Sequence, residues 1–178
     1  MHLDHHFTLQ RIFEVPRDTL WACWSKPQHL RHFFIPQPHV MKSCDLELKV
    51  GGRFNTVFEI GGQDVANQGV VLELVDGYKI VFSDSFFEGW HPNPNPFITI
   101  IVRLKALSDE RTCCTITARH HVAASQDALA QIDFALGWNI VLDQLANYSR
   151  LYYQSQEHYQ PAPHALVCLD HQNVIYTI

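Results

Sequence analysis

Long apolar runs, clustered positive charge and cysteine-pair motifs are all missing from this sequence. No stretch approaches the roughly 18 apolar residues of a membrane-spanning helix, so we expect no membrane insertion. The 13 Lys and Arg residues are scattered, and 18 Asp and Glu residues outnumber them. A nucleic-acid surface would show a basic cluster. Nucleic acid is therefore excluded as the main partner.

Cysteine and histidine patterns give no sign of a metal or disulfide framework. The five cysteines are odd in number and show no CxxC spacing, which argues against a zinc ribbon or a disulfide scaffold. No HExxH, P-loop or G-x-S-x-G motif occurs either. The N-terminus has no apolar segment typical of a signal peptide. We expect reduced thiols, a cytoplasmic location, no metal and no cofactor.

Charge is sparse while apolar and aromatic residues are plentiful. Charged residues make up 17% of the 178 residues, hydrophobic residues 47% and aromatic residues 12%. That composition is enough for one compact core with apolar surface left over to line a cavity. We expect one domain over residues 1–154 and a tail of uncertain structure over residues 155–178.

The hydrophobic period changes along the chain from two residues to between three and four. Alternation predicts strands over 7–15, 44–50, 53–60, 68–75, 78–85, 97–107 and 111–121. Turns at Gly51-Gly52, Gly61-Gly62 and Asp76-Gly77 indicate an antiparallel meander. Short helices are predicted between the first two strands, and a long amphipathic helix over 125–153. This order predicts an α+β fold.

Four segments carry a family resemblance that spans about residues 7–152. They are PRDTLWACWSKPQHLRHFF (16–34), DLELKVGGRF (45–54), the two strands over 69–82, and GWNIVLDQLANY (137–148). Together they resemble the activator of heat-shock protein ATPase homologue-like family of the START-like (SRPBCC) superfamily. The resemblance implies a helix-grip fold, in which a curved antiparallel sheet of about six to seven strands wraps a long C-terminal helix.

A helix-grip fold implies a cavity between the helix and the sheet, and a small apolar or aromatic ligand is the first hypothesis for it. Four polar residues, Thr56, Gln68, Asp84 and His120, occupy strand positions that are expected to face inward. Gln68, Asp84 and His120 would be polar anchors. The predicted ligand-binding residues are Trp24, Phe54, Phe58, Gln68, Phe82, Phe87, Trp90, Phe134 and Trp138.

Two other functions fit the same sequence. A cyclase- or hydrolase-like enzyme would use Asp84 or His120 as a general base, and these two could form an acid–base pair. A co-chaperone-type interaction module would act through its surface with the cavity closed. The apolar segments of the tail, over 165–169 and 174–178, make a homodimer possible through strand addition.

Overall fold

A computed structural model describes residues 6–120 and 128–157, with side chains described for 7–120 and 135–156. These residues form three α-helices, one short 3₁₀ helix (Glu88–Trp90) and ten strands, in an order that matches the predicted strand–helix–meander–helix arrangement. The elements are β1 (His6–Phe13), α1 (Arg17–Ser25), α2 (Pro27–Leu30), β2 (Val40–Leu46), β3 (Phe54–Ile60), β4 (Gln63–Asn67), β5 (Val70–Val75), β6 (Lys79–Ser83), β7 (Phe86–Phe87), β8 (His91–Pro92), β9 (Ile98–Ser108), β10 (Arg111–His120) and α3 (Ala128–Glu157).

Eight of the ten strands form a curved antiparallel sheet in two hydrogen-bonded parts, and β7 pairs only with β8. Five strands run in the order β1-β10-β9-β6-β5, and three run β2-β3-β4. The two parts join because β5 also bonds to the chain just before β3: the Val71 amide donates to the Gly52 carbonyl at 3.0 Å. β4 and β5 therefore behave as one strand with a bend. Counted in this way, and without the β7–β8 pair, the sheet has seven strands, in agreement with the predicted six to seven.

Glycine makes the bend possible. A Cβ atom at Gly69 would stand 2.6 Å from the carbonyl oxygen of Ser83, far inside van der Waals contact. At Gly52, in the turn before β3, a Cβ would stand 2.2 Å from the carbonyl oxygen of Glu47. Backbones approach this closely only where the side chain is a hydrogen atom. The sheet turns around the helix at these two positions.

The concave face of the sheet packs against α3. Trp138, Val141, Leu142 and Leu145 of this helix are buried and belong to one core with the inward residues of β6, β9 and β10. These α3 residues recur three and four positions apart, which places them on one side of the helix. The predicted α+β helix-grip fold is confirmed. None of the described helices is long and apolar enough to cross a membrane.

Helix α2 is held against α3 by a histidine. His29 is only 8% exposed, and its Nδ1 lies 2.7 Å from the hydroxyl of Tyr148. Its ring also contacts Tyr152, with centroids 4.4 Å apart. Burial, followed by the neighbouring Lys26 and His32, lowers the pKa of His29 below its ordinary value of 6.5. The protein thus buries a neutral imidazole in a helix contact.

The strand predicted over 44–50 begins and ends earlier, at Val40–Leu46 (β2), and the chain turns at Val50 and Gly51. Two further segments differ from the sequence prediction. Strand β4 was not predicted, because almost all of its residues are exposed and it lacks an apolar alternation. The proline-rich stretch 88–96 was expected to be a loop, yet it includes strand β8. That short strand pairs with β7, where Phe87 lies opposite His91. Both departures are hairpins outside the core, where no hydrophobic period marks a strand.

We predict that Gly69→Ala lowers the free energy of unfolding by about 1–3 kcal/mol, because the added methyl group overlaps the Ser83 carbonyl. Gly137→Ala in α3 is the control. There a methyl group would meet Pro36 at an ordinary 3.6 Å, and replacing a helical glycine gains about 1 kcal/mol. Urea denaturation measures the free energy of unfolding of both variants. Equal stability of Gly69→Ala and the wild type would contradict the proposed bend.

Protonation of His29 is predicted to destabilise the fold. Because its pKa is lower in the folded state than in the unfolded state, the stabilisation is complete above about pH 6.5 and is lost as the pH falls below that value. The urea midpoint should therefore drop between pH 7.5 and 5.5, and less steeply in His29→Gln. His39→Gln serves as the control. An unchanged slope in His29→Gln would refute this role for His29.

Candidate ligand-binding cavity

A cavity of about 480 Å³ lies between the sheet and the part of α3 around Trp138. Its volume falls within the range of small-molecule sites. Phe97, Val65 and Ile60 are 53%, 44% and 39% exposed and mark its mouth. Most of the lining is apolar. The described lining residues are Phe34, Ile35, Pro36, Phe54, Phe58, Ile60, Val65, Asn67, Phe82, Ser83, Asp84, Phe97, Ile98, Ile100, Gly137, Trp138 and Val141.

Phe34 is the centre of the aromatic wall. Its ring stacks parallel to Phe58 at 6.3 Å and meets Trp138 edge-on at 6.1 Å. It also meets Phe54 edge-on at 5.5 Å. Phe54 in turn stacks on Phe82 at 4.3 Å. Four of the predicted ligand-binding residues, Phe54, Phe58, Phe82 and Trp138, are thus brought together around a fifth ring that the sequence prediction did not include.

One side chain of α3 holds the segment that carries Phe34. The amide nitrogen of Gln144 donates to the carbonyls of Phe33 and Ile35, at 3.0 and 2.8 Å. Its oxygen accepts from the backbone amide of Gln37 at 2.8 Å. These three bonds fix the backbone on both sides of Phe34 to the helix. The cavity wall is therefore positioned by a polar contact and not by apolar packing alone.

Asp84 lines the cavity, but its carboxylate also binds the backbone. Both carboxylate oxygens accept from the Phe97 amide, at 3.0 and 2.9 Å, and one accepts from the Ile98 amide at 2.9 Å. The Asn93 side chain donates to the Asp84 carbonyl at 2.7 Å. This buried residue therefore anchors the chain that enters β9. It places Phe97 at the mouth.

Asp84 and His120 are separated by a strand. The Asp84 amide donates to the Ile98 carbonyl, and Ile98 pairs with His120 on the other side. Two strand spacings of about 4.8 Å put their backbones roughly 10 Å apart. The His120 ring contacts Phe97, with centroids 5.2 Å apart. His120 is not among the lining residues, so the two proposed catalytic groups do not meet in the cavity.

Two predicted ligand contacts lie elsewhere. Trp24 is fully buried behind the cavity wall, against Phe33 at 5.0 Å, and is a core residue. Gln68 is exposed, whereas its neighbour Asn67 lines the cavity. The strand containing Gln68 was expected to be continuous, but the bend shifts the inward position by one residue. Thr56 is inward and buried as expected, without being part of the lining.

The proline-rich segment does not place its aromatic residues at the mouth. Trp90 is 50% exposed and covers Gly51, where an added Cβ would lie 2.9 Å from the indole ring. Arg53 and Glu88 form an ion pair at 2.9 Å that holds the same hairpin. Phe87 pairs within that hairpin and is not a lining residue. The side chain of Phe134 lies outside the described residues.

Sequence reasoning missed Phe34 and Phe97 as site residues. Phe33 and Phe34 were expected on the second short helix, but α2 ends at Leu30 and both residues lie in the turn that follows it. Adjacent residues of such a turn point in different directions. Phe33 enters the core and Phe34 enters the cavity. The presence of two adjacent phenylalanines, which cannot both face the same way, was the one sequence feature that could have identified Phe34. Phe97 carried no such signal, because its place depends on the Asp84 hydrogen bond.

These features define a helix-grip domain with an aromatic cavity under its long helix. The sequence profile of the family described as Activator of Hsp90 ATPase homolog 1-like protein matches residues 14–150. The chain belongs to this family, which confirms the resemblance seen in the sequence. Comparison with curated proteins finds no match.

Solved structures share the fold. A protein of Nitrosomonas europaea is 23% identical with a TM-score of 0.77, and the match covers 89% of this chain and 100% of that one. A Chromobacterium violaceum protein is 26% identical with a TM-score of 0.66, covering 80% and 94%. An AHSA1-like protein from Aeromonas hydrophila is 15% identical with a TM-score of 0.62, covering 89% and 99%.

Asp84→Asn tests the anchoring role. The substitution replaces one acceptor oxygen with an NH₂ donor. If the remaining oxygen stays at the Oδ1 position, the NH₂ group faces the Phe97 amide, donor against donor; if the side chain is flipped, the Ile98 amide loses its acceptor. We expect a loss of about 1–3 kcal/mol in the free energy of unfolding. Asp18→Asn, at a carboxylate with 87% side-chain exposure, is the matched control. A fully stable Asp84→Asn variant would be incompatible with an anchoring carboxylate.

Proposed function

We propose that this protein binds a small molecule with a flat, apolar or aromatic body in the cavity under α3. The observation that carries the proposal is the arrangement of rings around Phe34, which offers both parallel and edge-on surfaces to a planar ligand. Aromatic rings contribute large buried areas and favour offset or edge-to-face contact with other rings. A ligand that enters would replace solvent against an almost entirely apolar wall.

The charges of the lining favour a neutral ligand. No Lys or Arg is among the described lining residues, and the single carboxylate, Asp84, already accepts backbone hydrogen bonds. A carboxylate or phosphate on the ligand would therefore be buried without a cationic partner, which is costly. The Asn67 side chain lies at the cavity and forms no hydrogen bond within the described residues. We propose that its amide orients one polar group of the ligand.

Binding without catalysis agrees best with this geometry. A general base must reach the proton that it removes, at about 2.6–3.2 Å. The Asp84 oxygens already accept hydrogen bonds from the amides of Phe97 and Ile98, which hold the carboxylate against the backbone, and His120 is not a lining residue. The cyclase- or hydrolase-like alternative would need another acid–base group in the cavity.

A cytoplasmic location, a possible homodimer and a domain limit near residue 154 remain proposals. The location is supported by the cysteines: Cys23, Cys44, Cys113 and Cys114 are all free. Burial raises the pKa of Cys23 to about 12 and that of Cys44 to about 11. Both are thus protonated, unreactive thiols at neutral pH, as expected of structural cysteines in a reducing compartment. The tail with the proposed dimer segments lies outside the described residues.

Titration with N-phenyl-1-naphthylamine, a neutral aromatic dye that fluoresces in apolar surroundings, tests the proposed function. We expect saturable binding to the wild type. In Val141→Phe, which fills the cavity from α3, the affinity should fall at least about tenfold, equivalent to about 1.4 kcal/mol. Leu151→Phe is the control, because Leu151 lies on the same helix and is 60% exposed.

Thermal denaturation of each variant shows whether a loss of dye binding comes from a filled cavity or from unfolding of the protein. If Val141→Phe unfolds early, Asn67→Leu at the exposed edge provides a second variant with less risk to the core. Undiminished dye binding in Val141→Phe, or no binding to the wild type, would contradict the cavity proposal. Either result would favour the co-chaperone-type alternative, in which the protein acts through its surface.

A further inference from the structure

A second concave site lies on the opposite, outer face of the sheet. It has a volume of about 440 Å³, and its lining includes Gln10, Tyr78, Lys79, Arg103, Lys105 and Thr115. On β9 the core residues Val102 and Leu104 alternate with Arg103 and Lys105, so these two cations point away from α3. We call this site the outer groove. It shares no residue with the cavity lining and does not depend on the proposed ligand.

The strand register aligns polar side chains across the outer groove. Gln10 pairs with Thr115, Thr115 with Arg103, and Arg103 with Lys79. Side chains directly opposite each other on neighbouring strands lie on one face about 5 Å apart. Hydrogen-bond donors from four strands therefore form one row, with Lys105 beside it on the same strand as Arg103. Cations that are scattered in the sequence meet here.

This row contains an electrostatic conflict. Arg103 and Lys79 are directly opposite, and like charges in such a cross-strand pair repel each other. Lys79 has a carboxylate partner in Glu73. Neither Arg103 nor Lys105 forms an ion pair within the described residues, although both are exposed. The lining contains three cations and no carboxylate. When Glu73, the partner of Lys79, is counted with them, the local charge is +2, in a chain whose net charge is -5.

The side chain and the backbone of Tyr78, at one side of the groove, are both held in place by neighbouring residues. Its ring is stacked against the Arg17 guanidinium at 4.1 Å, and its carbonyl accepts from the Leu104 amide at 2.8 Å. The backbone of the groove is thus held by the sheet on every strand that contributes to it. Only the ends of the long side chains need to order when an anion binds, which limits the entropic cost.

We infer that the outer groove binds a small multivalent oxyanion of the diphosphate class. The Arg103 guanidinium suits bidentate contact with a phosphate, and the ammonium groups of Lys79 and Lys105 supply point charges. The Gln10 amide donates to the Thr115 hydroxyl at 3.4 Å, which leaves the O–H of Thr115 as a neutral donor. A ligand with two or more negative charges neutralises the local excess and removes the cross-strand repulsion. The concave shape favours a compact anion over an extended acidic peptide.

Isothermal titration of the full chain with sodium pyrophosphate at low ionic strength tests this inference. We expect Arg103→Gln and Lys105→Gln each to weaken binding about tenfold or more, because each removes a charge-assisted hydrogen bond. Arg119→Gln is the matched control. It removes the same charge from an exposed position on β10, about 14 Å along the strand from Thr115.

The possible outcomes distinguish specific binding in the outer groove from non-specific attraction to positive charge anywhere on the surface. Binding that is lost with Arg103 and kept with Arg119 supports the outer groove. Absence of pyrophosphate binding, or equal weakening by Arg119→Gln, overturns it. So does a groove that binds hexaglutamate but not pyrophosphate, since that result would indicate a protein-docking surface. Thermal denaturation confirms that the exposed variants are folded.

Discussion

One helix covers the concave face of a seven-stranded sheet, and it fills that face unevenly. Leu142 and Leu145 of α3 are almost completely buried in the core, whereas Gly137 and Trp138, one to two turns earlier, border a cavity. Gly137 contributes no side chain, and the bend at Gly69 carries the sheet around the helix. A densely packed interior leaves few voids of this size by accident. The cavity therefore follows from the uneven contact between helix and sheet.

Polar contacts preserve this space. Gln144 fixes the backbone on both sides of Phe34, and Asp84 fixes the backbone at Phe97. Apolar walls alone would tend to collapse inward, because burying their surface is favourable. Hydrogen bonds from α3 and from the end of β6 instead hold the aromatic rings at fixed positions. The same residues that a sequence search would nominate for chemistry thus serve to shape the cavity.

Much of the fold could be predicted because most core elements have a clear period. The alternation over 97–107 and 111–121 and the helical period over 125–153 predicted β9, β10 and α3 to within a few residues. Prediction failed where tertiary contacts decide the outcome. Gln68 was assigned inward because the bend at Gly69 has no signature beyond a glycine.

The same limit applied to single aromatic residues. Trp24 and Trp90 are both large and aromatic, yet one is core and the other covers a turn. Their residue type predicts burial of apolar area but not the surface that buries it. The row of polar side chains in the outer groove could likewise not be predicted from the sequence, since it depends on the pairing of four strands.

Xenon-pressurised crystals of the full chain would test the central claim most directly, because xenon enters dry apolar cavities and does not depend on ligand identity. The account predicts xenon density between the rings of Phe34, Phe58 and Trp138. Ordered water throughout this space, or side chains that close it and leave no xenon site, would contradict an accessible apolar cavity under α3.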